Sequence, residues 1–513
     1  MENVLTMLWG LTWQAWYTII LVVSLFLVLL FTKIRTDMVF LCTMVLFFIP
    51  GVLDISQAFG GFDSESVLVV AALFCVIAGL DNTGVLNWIV KYLLGKPKSH
   101  SGALVRIMAP VAFLSSFLSN TTVVALFVGI VKKWSKKLGI SPSKLLIPLS
   151  YAAGMGGICT LIGTPPNLLI SGMLEKETGI QLGVFAPFLC GIFCLFVGIV
   201  SMLLMRNLLP DRKTPLDSAS DADFSTELKV PSNNIYIGRG IGDACNEAGI
   251  KFDSGKFVAI RRFDGFIVSP VDAEEPIMGG DHILVDGTAG ELKMAAQRLG
   301  LENEYLETAV EQEGINRYSW KTLVSSLIFI LAIVMAALKV MPLIVACMAA
   351  AVLMMVFGCC TPTQAYRKID FGIIIVFASS IAIGVAIKQT GLAQMMADGL
   401  LGLCGTNPYV LLAVICLVAT FITEFISNTA AGAIFFPIAL SAAQSIGANP
   451  VTFCIALMIS VSSSFATPIG SPTHMLVYTP GGYKFSDFLR LGLPMNLIIL
   501  TANIIITPLV YPF

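Results

Sequence analysis

Four short polar motifs interrupt apolar stretches of the chain, and their residue types suit ion binding. Two are Ser-Asn-Thr triplets, Ser119–Thr121 and Ser427–Thr429, and two are glycine-proline turns, Gly163–Pro165 and Gly470–Pro472. The N-terminus of a half-helix presents unpaired N–H groups and a positive dipole end to an anion, whereas C-terminal carbonyls suit a dehydrated Na⁺. The motifs contain no Arg or Lys. They therefore predict a neutral site in which dipoles and co-bound cations hold an anion, so that anion binding depends on the cation.

The motifs occur in matched pairs, which predicts an internal repeat. Three pairs keep the same order and nearly the same spacing in both halves of the chain. They are Asn82–Leu86 with Gln389–Ala393, Phe117–Thr121 with Phe425–Thr429, and Cys159–Pro165 with Ala466–Pro472. Taken singly, Ser, Thr and Asn in membrane helices more often bond to a neighbouring helix than bind a ligand. Helix breaks at corresponding places of two repeats are, however, typical of the central site of a transporter.

The segments that carry these motifs are apolar enough to lie in a lipid bilayer. The chain has 513 residues, of which 56% are hydrophobic and 12% charged, whereas soluble proteins have about 25% charged residues. This composition excludes a disordered or nucleic-acid-binding protein. A membrane-crossing helix needs about 20 mostly apolar residues. Such runs predict ten spans, at Trp16–Phe31, Met38–Leu53, Val67–Leu80, Leu145–Ile162, Phe185–Met205, Leu323–Leu338, Met341–Phe357, Gly372–Ile387, Val451–Ala466 and Leu491–Val510.

Two further apolar stretches, Val105–Ile130 and Val410–Phe436, contain the Ser-Asn-Thr triplets and predict re-entrant hairpins. Lys and Arg are retained in cytoplasmic loops, and the loop Ala439–Pro450 has none of them. The first half is rich in them at Lys33, Arg35, Lys91, Lys96, Lys98, Arg106, Lys132, Lys133, Lys136, Lys137 and Lys144. The predicted fold is therefore a polytopic α-helical protein of the inner cell membrane, with two inverted repeats of five spans and one re-entrant hairpin each.

The segment between the halves has a different composition and predicts a separate domain. Residues 211–320 are rich in charge and begin with a polar linker, Thr214–Thr226. Three β-like runs and one helical stretch follow, at Asn234–Ile237, Lys256–Arg261, His282–Val285 and Gly290–Leu299. The prediction is a small α+β domain on the cytoplasmic side, inserted between a first repeat at 1–210 and a second at 321–513.

The paired motifs resemble those of the divalent-anion:sodium symporter family, which carries sulfate, dicarboxylates and citrate. The resemblance rests on the two triplets together with Leu161–Asn167 and Phe465–Gly470, and it covers the chain outside the insert. It implies an elevator-type carrier that forms a homodimer and imports a divalent oxyanion with Na⁺. The sequence departs from strict symmetry between its halves at Thr473-His474, where the first half has Pro166-Asn167.

The resemblance also implies which residues bind each ion. One Na⁺ would be held by Ser115, Ser119, Asn120 and the Gly163 carbonyl, and the other by Thr423, Asn428 and the carbonyls of Ile426 and Gly470. Substrate oxygens would meet Asn120, Thr121, Thr164 and Pro165 from the first half, and Asn428, Thr429, Ser471 and Pro472 from the second. The insert resembles the C-terminal regulator domain of potassium-uptake and potassium-channel subunits, visible in Gly255–Arg262 and Gly279–Val285. Carriers with such an insert are associated with sulfate, which favours sulfate by analogy.

Several residues and functions remain open alternatives. Glu424, at the position that matches Ser116, is a cation contact, a proton carrier, or a hydrogen-bonding group that fixes the hairpin. Asp81 and Lys388 match each other at span ends and predict interfacial charges. Rival functions are a Na⁺-coupled dicarboxylate carrier and a proton-coupled carrier or exchanger. The sequence lacks the T-V-G-Y-G filter expected of a channel. It also lacks the nucleophile-base or metal-ligand set expected of an enzyme.

Overall fold

The structure is a computed structural model that describes residues 12–32, 34–85, 97, 99–211, 224–231, 234–253, 256–262, 267–268, 271–287, 289–302 and 320–513. The chain divides into two compact units. One comprises Met1–Arg212 together with Trp320–Phe513, and the other is Lys213–Ser319. The basic residues Lys33, Lys91, Lys96 and Lys98, which entered the orientation argument, lie outside the described residues.

The larger unit is helical in both of its halves. The first-half helices are α1 (Trp13–Phe31), α2 (Thr36–Phe48), α3 (Ile55–Phe59), α4 (Glu65–Asn82), α5 (His100–Ser115), α6 (Asn120–Leu138), α7 (Leu146–Gly157), α8 (Pro165–Thr178) and α9 (Phe188–Leu204). Local chemistry sets several of the ends. The Ser64 and Ser99 hydroxyls accept N–H bonds at the starts of α4 and α5. Gly179 ends α8 with a φ of 73°, a conformation that favours glycine.

The second half follows nearly the same order of long, short and interrupted helices. The insert separates the halves and contains the helices α10 (Ile241–Glu247) and α11 (Ala289–Leu299). The second-half helices are α12 (Trp320–Ala337), α13 (Leu343–Val356), α14 (Pro362–Lys368), α15 (Phe371–Gln389), α16 (Leu392–Cys404), α17 (Pro408–Ile422), α18 (Asn428–Ser445), α19 (Pro450–Val461), α20 (Pro472–Tyr478) and α21 (Phe485–Val510). Helix α16 was not among the predicted spans. Its polar Gln394 and Asp398 interrupt the apolar run.

Six of the ten predicted spans are long and apolar enough to cross a membrane: α1, α4, α9 with its continuation to Leu208, α12, α15 and α21. The other four predicted spans are shorter helices in the structure. The prediction made them too long because apolar sequence continues past the point where each helix ends. Helices α2 and α13 have 13 and 14 residues, and α7 and α19 have 12 each. At about 1.5 Å per residue, twelve residues reach ~18 Å, which is short of the ~30 Å hydrocarbon core.

The two halves pack against each other reciprocally. By chain order α2 corresponds to α13, and α4 to α15. The structure packs α2 on α15 and α4 on α13. In the same way α6 corresponds to α18 and α8 to α20, and α8 packs on α18 while α20 packs on α6. Each contact therefore has a counterpart in which the halves exchange roles.

Charged pairs also join the halves at Asp81 and Lys388. The Lys368 ammonium lies 2.5 Å from the Asp81 carboxylate, and Lys388 pairs with Glu177 at the end of α8. In both pairs the lysine comes from the second half and the acid from the first. Asp81 and Lys388 thus each bind a partner from the opposite half, and their predicted position at the membrane–water interface stays a prediction.

The described residues of the smaller unit form one antiparallel sheet and two helices. Its elements are β1 (Phe224–Lys229), α10 (Ile241–Glu247), β2 (Phe257–Arg261), β3 (Ile267–Val268), β4 (His282–Gly287) and α11 (Ala289–Leu299). The strand order is β1-β4-β2-β3, with Phe224 opposite Gly287 and a register shift between Phe257 and Ala259. Buried residues from the sheet and both helices form its hydrophobic core.

Two details of the predicted insert are wrong. The run Asn234–Ile237 is a turn, because the Asn234 carboxamide oxygen accepts the Tyr236 N–H at 2.8 Å and Gly238 adopts a φ of 83°. The end of the predicted linker belongs to β1, which begins at Phe224. The strands at β2 and β4 and the helix α11 agree with the predicted runs.

Candidate functional site

The first tip, residues 116–119 between α5 and α6, places a buried serine against an asparagine. The Ser115 hydroxyl donates to Asn120 Oδ1 at 2.5 Å, and Ser115 is fully buried. Ser119 and Thr121 flank Asn120 at the start of α6. The first N–H groups of a helix have no intrahelical partner. The first tip therefore offers backbone donors beside a hydroxyl and a carboxamide.

Asn120 and Thr164 meet at Gly157, the last residue of α7. A Cβ atom on Gly157 would lie 2.6 Å from Asn120 Oδ1 and 2.4 Å from Thr164 Cγ2, so only glycine leaves room for both side chains. The Thr164 hydroxyl is buried, and within the described part of the chain nothing hydrogen-bonds it. A buried hydroxyl without a partner costs free energy. A ligand oxygen at this position would remove that cost.

The second tip, Thr423–Ser427, lies between α17 and α18. Oxygen atoms from this tip, from the end of α19 and from the segment after it surround the Asn428 carboxamide. One terminal atom of this carboxamide lies within hydrogen-bonding distance of two hydroxyls and two carbonyls. They are Thr423 Oγ1 at 2.8 Å, the Gly470 carbonyl at 3.0 Å, Ser464 Oγ at 3.2 Å and the Val461 carbonyl at 3.3 Å. We call Asn428 and these four groups the Asn428 cluster.

The Asn428 cluster can exist in two forms with different chemistry. With its amide nitrogen inward, Asn428 donates to the surrounding oxygens. With its amide oxygen inward, five oxygens face one another, and carbonyl oxygens cannot donate to each other. A hard cation prefers an all-oxygen ligand set of this kind. Within the described residues no three His, Cys, Asp or Glu side chains form a metal-binding group, so this donor set fits an alkali cation better than a transition metal.

The structure brings together most of the residues predicted for the second Na⁺. Thr423, Asn428 and the Gly470 carbonyl belong to the Asn428 cluster. The Ile426 carbonyl is not among the four neighbours, and Ser464 and the Val461 carbonyl were not predicted. A run of three serines after the end of α19, residues 462–464, is the sequence feature that could have pointed to Ser464, because the segment before it is apolar.

Each tip is fixed to the helix break behind it by the same pattern of bonds. In both halves a threonine hydroxyl in the break donates to a tip carbonyl and accepts a glycine N–H. The first-half bonds join Thr160 to the Ser116 carbonyl and, at 3.2 Å, to the Gly163 N–H. The second-half bonds join Thr467 to the Glu424 carbonyl at 2.8 Å and to the Gly470 N–H at 3.0 Å. The two tips are therefore built alike in backbone geometry.

Contacts between the halves place α8 and α20 against helices of the opposite half. Helix α8 begins at Pro165 and packs on α18 and α19, whereas α20 begins at Pro472 and packs on α6 and α7. Two close contacts cross between the halves. Tyr151 donates its phenolic hydrogen to the Phe465 carbonyl at 2.7 Å, and a Cβ on Gly432 would lie 3.3 Å from Ile170. The helix after each break therefore packs against the second hairpin helix of the opposite half.

Prolines limit what the half-helices can donate to an anion. Pro165 and Pro166 open α8, and Pro472 opens α20. Proline has no N–H, so the expected backbone donors are missing from these first positions, although the α8 dipole remains. The polar groups available at the breaks are therefore the side-chain hydroxyls of Thr164 and Ser471. The Ser471 hydroxyl lies 2.9 Å from Thr473 Oγ1. Thr429 follows Asn428 in the first turn of α18.

Glu424 is buried at the second tip, where three N–H groups donate to its carboxyl oxygens. One oxygen accepts from Ala466 N at 2.9 Å and Asn496 Nδ2 at 2.6 Å, and the other accepts from Thr467 N at 2.7 Å. These bonds connect the tip, the break before α20 and helix α21. The geometry favours the alternative in which Glu424 fixes the hairpin.

Replacing Glu424 by Gln should lower stability and leave cation dependence intact. The glutamine NH₂ group would oppose at least one of the three donors, and a buried N–H without an acceptor costs about 1–3 kcal/mol. Neither carboxyl oxygen belongs to the Asn428 cluster. We expect a lower melting temperature with an unchanged Na⁺ response, measured by thermal unfolding of detergent-solubilised protein. Exposed Glu65→Gln is the control. Loss of the Na⁺ response at unchanged stability would contradict this role.

The helical fold and the paired polar breaks define a membrane transporter. More particularly, the chain belongs to the citrate transporter family, whose model matches residues 26–400 and 329–512.

Similar proteins from several organisms are named as transporters or efflux pumps. The uncharacterized transporter YfbS of Escherichia coli is 28% identical, covering 94% of this chain and 96% of its own. Sodium/sulfate cotransporter 1 of Chlamydomonas reinhardtii is 30% identical over 59% of this chain and 35% of its own length. The antimetabolite efflux pump MtrF of Neisseria gonorrhoeae is similar in fold, with a TM-score of 0.53, 12% identity and coverage of 97% and 95% of the two chains.

Proposed function

We propose that the protein is a Na⁺-coupled secondary active transporter that imports a divalent oxyanion, with sulfate the favoured substrate. The observation that carries the proposal is the Asn428 cluster: when the Asn428 amide oxygen turns inward, its five neutral oxygens offer ligands to a cation. An anion would bind beside these oxygens only when the cation is present. Binding of cation and anion is then linked, and this linkage is the basis of coupled transport.

The proposed ligands are those that the family resemblance implies, with two additions. The first Na⁺ is bound by Ser115, Ser119, Asn120 and the Gly163 carbonyl, and the second by Thr423, Asn428, the carbonyls of Ile426, Val461 and Gly470, and Ser464. The substrate contacts Asn120, Thr121, Thr164, Pro165, Asn428, Thr429, Ser471 and Pro472. The unpartnered hydroxyl of Thr164 supports a ligand oxygen at this position.

The choice of sulfate rests on a relative, and a carboxylate substrate is the second candidate. The similarity to sodium/sulfate cotransporter 1 covers only part of this chain, whereas the family to which the chain belongs is named for citrate transport. Sulfate and a dicarboxylate both present two negative charges on oxygens. A Na⁺-coupled dicarboxylate or citrate carrier therefore fits the same neutral site.

We also propose that the halves are inverted repeats in the inner cell membrane and that the carrier works as an elevator-type homodimer. The reciprocal packing of α2 on α15 and of α4 on α13 supports a two-fold relation between the halves. The lysines between the first hairpin and α7 support a cytoplasmic position for that loop. The Lys213–Ser319 unit is then the cytoplasmic regulator domain.

A proton-coupled carrier or exchanger is the rival mechanism, supported by two buried titratable residues, Glu424 and His474. Uptake into proteoliposomes distinguishes the mechanisms. We expect accumulation of labelled sulfate under an imposed inward Na⁺ gradient with equal pH on both sides. Accumulation under a pH gradient alone would instead support the rival.

Thermal unfolding with candidate anions tests substrate and cation together. A ligand at 100 times its Kd stabilises the native state by about 2.7 kcal/mol. With sulfate, thiosulfate, molybdate, succinate and citrate each tested in Na⁺ or in K⁺, we expect sulfate to raise the melting temperature only in Na⁺. Stabilisation by succinate or citrate alone would select the second candidate. Stabilisation in K⁺ as well would contradict cation coupling.

The role of the Lys213–Ser319 unit can be tested by deletion. We propose that it senses a cytosolic ligand and adjusts transport. Replacing residues 211–316 with a short linker should preserve uptake but remove its dependence on the internal anion concentration. Unchanged kinetics at every internal concentration would indicate that the unit has no sensing role.

A further inference from the structure

His474 lies at a position where the two halves differ in residue type and agree in bonding. It is buried at the second residue after Pro472. Its ring Nε2 lies 2.7 Å from the Ser464 carbonyl. A carbonyl oxygen can only accept, so Nε2 carries the hydrogen and donates it. His474 therefore holds the backbone at Ser464, a member of the Asn428 cluster.

The corresponding first-half residue, Asn167, makes the equivalent contact. Its side-chain Nδ2 lies 3.3 Å from the Gly157 carbonyl and 2.8 Å from the Thr160 carbonyl. Gly157 precedes Gly163 by six residues, as Ser464 precedes Gly470, and each lies beside the asparagine of its tip. An Asn in one half and a His in the other thus donate to the same backbone position. The departure from symmetry at His474 preserves this role.

His474 makes a further contact that Asn167 does not share. The ring Nδ1 lies 2.6 Å from Ser150 Oγ in helix α7. The ring also lies beside Tyr151 and Phe488, with centroid separations of 5.2 Å and 5.5 Å. These neighbours come from both halves, so the imidazole is fixed on both sides. A rigidly held donor fixes the Ser464 carbonyl more firmly than a mobile side chain could.

We propose that His474 is a positioning residue for the second cation site and acts through Ser464. It lies outside the Asn428 cluster and is not proposed as a ligand. The Ser464 hydroxyl donates to the Gly470 carbonyl at 3.0 Å and lies 3.2 Å from the Asn428 carboxamide. Loss of the donor to the Ser464 backbone would loosen two of the five cluster groups at once. This inference rests on the proposed cation coupling.

Two substitutions separate hydrogen bonding from packing. His474→Gln keeps an NH₂ donor near the position of Nε2, whereas His474→Leu keeps apolar volume beside Tyr151 and removes the donor. Loss of partners that orient cation ligands typically costs 10–100-fold in affinity. We expect the half-saturating Na⁺ concentration to rise about 10-fold or more in the leucine variant, and to stay within about 3-fold of wild type in the glutamine variant because the donor is kept.

The measurement is Na⁺-dependent thermal unfolding of the full-length protein, with K⁺ holding the ionic strength constant. Sulfate uptake against Na⁺ concentration follows in proteoliposomes, where the maximal rate at saturating Na⁺ should change far less than the half-saturating concentration. A purely structural role would lower the melting temperature of the leucine variant without moving its Na⁺ dependence, and this result would overturn the inference alone. A wild-type protein that does not respond to Na⁺ would overturn the proposed function, and the inference with it.

Discussion

Gly157→Ala should abolish transport while leaving a folded protein. The added methyl group would lie 2.6 Å from Asn120 Oδ1 and 2.4 Å from Thr164 Cγ2, so both side chains must move from positions where they meet. Displacement of binding groups by about 1 Å can cost 100-fold in rate, and we expect sulfate uptake to fall at least that far. Overpacking costs about 1–3 kcal/mol, which is a modest loss for a unit of this size.

Gly129→Ala is the matched control for this change. Gly129 lies in α6, and a Cβ atom there would meet nothing within 4 Å. Alanine is favoured over glycine in a helix by about 1 kcal/mol, so this variant should be at least as stable as wild type and fully active. Uptake by the Gly157→Ala variant at wild-type rates would show that Asn120 and Thr164 need not meet at Gly157 for transport.

Asn428→Ala should raise the Na⁺ requirement more than any other single change. The substitution removes the central carboxamide from the Asn428 cluster, so that Thr423, Ser464 and the two carbonyls lose the group that they surround. Loss of an orienting partner costs 10–100-fold, and loss of a direct ligand should reach about 100-fold or more in half-saturating Na⁺. Thermal unfolding against Na⁺ concentration, followed by uptake, measures the change.

A second asparagine provides the control for Asn428→Ala. Asn449 caps α19, where its side-chain oxygen accepts the Val451 N–H at 3.0 Å, and it takes no part in the Asn428 cluster. Asn449→Ala should lose about 1 kcal/mol of cap energy and keep the wild-type Na⁺ response. A wild-type response in the Asn428→Ala variant would exclude this cluster as the cation site.

The sequence predicted the local features of the site because the motifs define helix ends. The structure begins α6 at Asn120, α18 at Asn428, α8 at Pro165 and α20 at Pro472. Serine is a favoured N-cap, as Ser427 is for α18, and proline is tolerated at the first helical position. These are short-range effects, so a few adjacent residues were enough to locate the tips and the breaks.

The rest of the site depends on contacts between residues distant in the chain. Ser464 lies 36 residues from Asn428, and Asn496 lies 72 residues from Glu424. Packing of whole helices sets such pairs, and residue type alone does not reveal them. The start of α8 shows a prediction from local sequence that was wrong. A helix N-terminus predicted backbone donors for an anion, although the residues at that position have no N–H to give.

The carboxyl group of Glu424 has a mechanical consequence for the second half. Its bonds to Ala466, Thr467 and Asn496 hold the second tip, the break before α20 and helix α21 together. At the corresponding first-half position, the Ser116 hydroxyl lies within hydrogen-bonding distance of the carbonyls of Ala112 and Gly156. The second tip is therefore bonded to the C-terminal helix α21 through Asn496, so a displacement of α21 would act directly on that tip, whereas the Ser116 hydroxyl bonds the first tip to α7.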